Sequence, residues 1–93
     1  MQVTEALREI DLATAPAFTV AICEMIDWAE NRTVVIDCSA ITFMDSSGYH
    51  ALMEAHDYAV SQDHSLVLYG LAENCARMLR ICDPDNVLTV APS

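Results

Sequence analysis

Lysine is absent from the 93 residues, and the four basic side chains are all arginine: Arg8, Arg32, Arg77 and Arg80. Fourteen Asp and Glu residues stand against them, for a formal net charge of −10. A field of that sign repels phosphate backbones and anionic membrane surfaces, which argues against a nucleic-acid partner and for a basic protein surface. Also missing is any apolar run near the ~20 residues that span a bilayer. The first residues carry Glu5 and Glu9 and lack the apolar stretch of a secretory signal. The expectation is a cytoplasmic protein with no direct membrane insertion. No internal repeat, linker or low-complexity segment divides the chain, so a single domain is expected over residues 1–93.

Several kinds of chemistry are missing as well. Cys23, Cys38, Cys75 and Cys82 form no CxxC pair and match no zinc spacing. Cys75 and Cys82, if on one helix, stand roughly 10.5 Å apart, whereas a disulfide needs Cα atoms within about 7 Å. The cysteines therefore read as reduced, partly buried small hydrophobes, with redox sensing as the alternative. His50, Glu54 and Asp57 have helical spacing but read as a solvated surface, so no metal is assigned. There is no Gly-rich phosphate loop of the Walker kind and no nucleophile–His–acid set. The chain is thus expected to bind no cofactor and to catalyse no reaction.

Apolar residues make up 54% of the sequence, enough for a packed core. The chain is organised around Thr33 to Tyr49. Thr33, Val34, Val35 and Ile36 are β-branched and read as a buried strand ending at Asp37. Asp45-Ser46-Ser47-Gly48 then opens a helical pattern to about Gln62, with Leu52, Ala55 or His56, and Ala59 inward and Tyr49 and Val60 beside them. Asp45 and Ser46 are both good N-cap residues, and the positive end of the helix there favours an anion.

The remaining elements follow by periodicity and stop signals. Val3 to Ile10 reads as an edge strand. Asp11 and Thr14 are cap candidates for a helix with Pro16 in its first turn. Its inner stripe is Phe18, Ala21 or Ile22, Met25 and Ala29, with Trp28 off the stripe and half covered. Ser65 to Tyr69 is a strand ended by Gly70. Glu73 to Cys82 is a shorter helix turning Ala76, Leu79 and Cys82 inward, stopped by Asp83-Pro84-Asp85. Val87 to Val90 is a last strand. This alternation predicts an α/β fold, a mostly parallel sheet of about four strands with helices packed against it.

A strand ending in Asp37, then Ile41-Thr42-Phe43-Met44, then Asp45-Ser46-Ser47-Gly48 resembles the STAS domain family, and within it the bacterial anti-sigma factor antagonists. Asp11-Leu12-Ala13-Thr14-Ala15-Pro16 and Thr89-Val90-Ala91-Pro92-Ser93 extend the resemblance over nearly the whole chain from about Ile10. Two departures stand out. Family members begin with a longer two-stranded opening, so here the first strand is shortened or absent. Either a neighbouring chain, as in a homodimer, covers the gap or the sheet is one strand short. The family also commonly has glycine at the position of Asp83, and Asp tolerates the left-handed conformation less well, so that helix end is expected to differ.

The resemblance implies that Ser46 is phosphorylated by an anti-sigma factor with serine kinase activity, with Ser47 the second choice. The unmodified protein would bind that factor and release a sigma factor. Asp45 would orient the Ser46 hydroxyl or cap the helix. Asp37 would tie down the following loop, and Gly48 would allow close approach of a partner, a tight start to the helix, or plain packing. Tyr49, His50 and Met53 near the helix start would lie in the contact. His50 stands where the family often has a small residue. The alternative within the family is an accessory subunit of a membrane transporter ATPase.

Overall fold

β-branched residues put the central strand where periodicity expects it, at β2 (Thr33–Asp37). The structure, a computed structural model, describes residues 7–91. In order after β1 (Glu9–Ile10) come α1 (Ala15–Trp28), β2, β3 (Phe43–Met44), α2 (Ser46–Ser61), β4 (Ser65–Tyr69), α3 (Glu73–Cys82) and β5 (Thr89–Val90). The expected strand over Val3–Ile10 is described only from Leu7 onward; its first part lies outside the described residues.

β2 pairs with β4 in parallel from Thr33↔Ser65 to Asp37↔Tyr69, and β4 pairs with β5 in parallel. A second, two-stranded parallel ladder joins β1 to β3 through Glu9↔Phe43 and Ile10↔Met44. The parallel α/β fold is therefore as expected, with five strands among the described residues rather than about four, because Phe43–Met44 also pairs.

Alternation along β2 and β4 sends Val34, Ile36, Leu66 and Leu68 into the core and leaves Val35 and Tyr69 on the outer side. Phe18, Ile22 and Ile26 of α1 and Ala51, Leu52, Ala55 and Ala59 of α2 meet them. Alanine at every fourth residue gives α2 a low ridge, so α1 and β4 can both pack closely on it. Near the far ends of the two helices the Tyr58 hydroxyl donates to Asp27.

Several details differ from the periodicity reading, the first on α1, where Ile26 is buried while Met25 and Ala29, expected inward, are half-buried. Trp28, the last residue of α1, is 82% exposed, not half covered, and stands off the buried face of Phe18, Ile22 and Ile26. Val60, placed beside the inner stripe of α2, is exposed. On α3 the buried pair is Cys75 and Leu79, with Ala76 and Cys82 only half-buried, so the inward stripe is rotated by about one residue. Asp83 caps that helix at φ −126°, outside the left-handed region. Its buried carboxylate accepts from the amides of Val87 (3.0 Å) and Leu88 (2.9 Å). The left-handed residue is instead Asn86, at φ 54°.

Candidate functional site

Ser46 is the first residue of α2, and the elements around it fix its position. Asp45 is the N-cap: its Oδ1 accepts from the Ser47 amide at 2.8 Å, and its carbonyl accepts from Gly48 at 3.0 Å. Of the two cap candidates, Asp45 holds the role, and the Ser46 hydroxyl is exposed with no hydrogen-bond partner among the described residues. The backbone just before the helix is tied down on two sides. The Asp45 amide donates to the Ile10 carbonyl at 3.1 Å, and the Thr42 amide to the Arg8 carbonyl at 2.7 Å. From α3, the Asn74 side-chain amide donates to the Thr42 carbonyl at 2.9 Å. Sequence reasoning missed Asn74; an Asn near the start of a distant helix gives no local signal of what it reaches.

Gly48 is buried and faces the chain itself. A Cβ there would stand 2.2 Å from Met44 Cγ and 3.1 Å from Ile10 Cγ2. The close approach is therefore that of β1 and β3, which lets the start of α2 lie against both strands. Ser47 is half-buried, whereas Ser46 is exposed. Tyr49 and Met53 are half-buried and pack against the core, while His50 is exposed. The Tyr49 and His50 rings lie 5.3 Å apart, tilted by 56°. A surface groove lined by Leu12, Pro16, Ser47, His50, Ala51 and Glu54 runs beside this helix start, between it and the beginning of α1. Leu12, 81% exposed on the rim, was also missed. An exposed leucine in a turn has no periodic signature.

Two aspartates shape the flanking loops. Asp37 at the end of β2 accepts from the Ser39 amide at 3.0 Å, and hydrogen bonding with Ser39 holds its carboxyl below the usual range. It is thus some way from Ser46 in role, bracing the turn after β2. Asp11 accepts from the amides of Ala13 (2.9 Å) and Thr14 (3.1 Å), and the bond from Thr14 chiefly lowers its pKa. Thr14 occupies the N-cap position of α1 without making a cap bond. Its hydroxyl donates back to the Glu9 carbonyl at 2.7 Å and accepts from the Asp11 amide.

The four cysteines are free thiols. Burial pushes Cys38 up to about 12, with Asp37 and Cys75 adding to the rise, and burial also raises Cys75. Thiolate is the reactive form, so these two are poor nucleophiles and poor metal ligands. Among the described residues no three His, Cys, Asp or Glu side chains are grouped to hold a metal, and no helix is long and apolar enough to cross a membrane.

Comparison with known proteins fits this geometry. Residues 5–93 match the model of the STAS domain. Anti-sigma-B factor antagonists of Listeria monocytogenes and Listeria innocua are each 28% identical over 82 residues, covering 88% of this chain and 71% of theirs. Among solved structures, an anti-sigma-factor antagonist (STAS) domain protein from Planctomyces limnophilus superposes with TM-score 0.76 at 16% identity, over 97% of this chain and 77% of its own. The anti-sigma factor antagonist SpoIIAA in its unphosphorylated form does so with TM-score 0.62 at 15% identity, over 91% and 73%. At such identities the solved structures speak for the fold alone. With the family match spanning nearly all of the sequence, the chain belongs to the STAS domain family.

Proposed function

We propose that this protein is an anti-sigma factor antagonist, a cytoplasmic binding module and not an enzyme, switched by phosphorylation of Ser46. The observation that carries this reading is the exposed Ser46 hydroxyl on the first turn of α2, beside a cap that Asp45 already supplies. The names of the Listeria relatives support the antagonist role. Unmodified, the chain binds an anti-sigma factor with serine kinase activity and frees the sigma factor. The contact surface comprises the helix start around Ser46 with Tyr49, His50 and Met53, and the adjoining groove.

Phosphate on Ser46 adds about −1.5 to −2 charges at neutral pH. The helix dipole tolerates it, so the fold survives modification. Binding does not, because the phosphate must be desolvated against the partner and adds to a surface already strongly acidic.

Incubation with a cognate anti-sigma kinase and ATP tests the proposal, with mass spectrometry locating the phosphate and calorimetry measuring affinity. Ser46→Ala is expected to block modification and retain binding. Ser46→Asp is expected to bind more weakly with unchanged circular dichroism, since a carboxylate on the first turn suits the dipole. Modification of Ser47 alone, or Ser46→Asp binding as tightly as the parent, overturns the switch.

A further inference from the structure

Phosphate on Ser46 would meet the positive end of α2 but few cationic side chains. The chain has no lysine, and two of its four arginines are engaged elsewhere, Arg32 with Asp63 and Arg80 with Glu73. The groups near the helix start include three carboxylates, Asp45 at the cap, Asp11 in the turn before α1 and Glu54 on the groove wall, and one arginine, Arg8, on the strand end whose carbonyl takes the Thr42 amide. Along α2 itself the one basic side chain within a turn of Ser46 is His50. Residues four apart on a helix lie about 5–6 Å apart at Cβ and face the same side. Both residues are exposed, so neither must be uncovered before they meet.

We propose that His50 is the counter-group of phosphorylated Ser46, its protonated ring donating a hydrogen bond to a phosphate oxygen across one turn of α2. This rests on the reading of Ser46 as the modified residue. His50 is then a positioning residue: it orients the phosphate along the helix and offsets part of its charge. The other charged or titratable groups facing the ring are few. Tyr49 packs beside it, Glu54 lies one turn further along α2, and Asp57 two turns. From α1 the groove brings Ala15, Pro16 and Thr19, none titratable, and the Asp11 carboxylate before that helix is occupied by the amides of Ala13 and Thr14. His50 is thus offered carboxylates on one side and, after modification, a phosphate on the other.

The test does not need the kinase. Phosphoserine is placed at position 46 during translation of the full chain, and the three histidine rings and the phosphorus are titrated by NMR. The His50 midpoint is expected to rise on phosphorylation by about 0.5–1 unit, a three- to tenfold stronger hold on its proton. His56, ten residues and about 15 Å along the axis from Ser46, and His64, whose ring is held by the Asn31 and Arg32 carbonyls, should scarcely move. His50→Gln should raise the phosphate midpoint, because removing the cation removes what favours the dianion. A His50 shift no larger than that of His56 and His64, or a phosphate midpoint unchanged by His50→Gln, overturns the pairing. Failure of every kinase to modify Ser46 would instead overturn the switch, and the two failures are read in separate experiments.

Discussion

At Gly48, two effects of replacing a glycine oppose one another. Alanine is the better helix former, by at most about 1 kcal/mol. Its methyl, however, would stand 2.2 Å from Met44 Cγ and 2.9 Å from Met44 Sδ, and overpacking of a close-packed site costs about 1–3 kcal/mol. Methionine is flexible, but Cγ lies near the backbone and cannot swing clear as a chain end would. Gly48→Ala is therefore expected to destabilise by on the order of 1 kcal/mol in urea unfolding. In a Met44→Ala background the same change should cost less, only the Ile10 Cγ2 contact at 3.1 Å remaining, a coupling that a double-mutant cycle reads directly. Equal costs in both backgrounds would remove the contact as the cause. Gly48 shows how far single residues were legible. Its place in a helix start was plain, and packing was one of the roles weighed, but that the approaching atoms are Met44 and Ile10 depends on a β1–β3 ladder that no local signal reveals. Trp28 was misjudged for a related reason: periodicity assigns a face, whereas exposure at a helix end depends on what the rest of the fold places beside it.

Among the elements, the end of α3 and the start of β5 are governed by one side chain. Asp83 is 6% exposed, the one buried charged residue among those described, and its two oxygens take the amides of Val87 and Leu88. Those two amides are occupied, which is why β5 covers Thr89–Val90 and not the whole of the expected Val87–Val90. Asp83→Ala leaves both amides without their acceptor, that of Leu88 at a buried site and that of Val87 at a partly buried one, a loss of about 1–3 kcal/mol. Amide exchange at Val87 and Leu88 should accelerate beyond what global destabilisation explains, while β2 keeps its relative protection; uniform acceleration would count against a local clamp. The resemblance to the family marked Asp83 as standing where glycine is common, but the reading through left-handed backbone missed the reason. Aspartate here caps α3 through its backbone amide, which donates to the Leu79 carbonyl at an ordinary φ, while its side chain holds the turn that follows. The long elements α1, α2, β2 and β4 were legible because each carries several turns or alternations of pattern. Two-residue β3 has no period to detect, and over the ten residues of α3 the one-residue rotation of its inner stripe could not be resolved.

For the molecule as a whole, the governing quantity is charge. The described residues span 30 × 29 × 22 Å, and at about 0.01 M ionic strength the screening length is about 30 Å, so every carboxylate feels the others across the fold. Near 0.15 M it falls to about 8 Å, and repulsion is confined to neighbours. Screening also weakens attractive pairs, but the side-chain ion pairs among the described residues are Arg32–Asp63, with 74% and 83% of each side chain exposed, and Arg80–Glu73, with 61% and 74%. Exposed pairs contribute about 0–1 kcal/mol each, less than relief of self-repulsion at −10 should return. Salt is therefore expected to stabilise this protein. Urea, itself uncharged, is the suitable denaturant, with sodium chloride raised from about 0.01 to 0.15 M, the range over which the screening length contracts. The midpoint should climb with little change in the slope, since the surface exposed on unfolding is the same. A midpoint that falls with salt would mean that specific ion pairs outweigh the net repulsion, and would locate the stability of this fold in Arg32–Asp63 and Arg80–Glu73 after all.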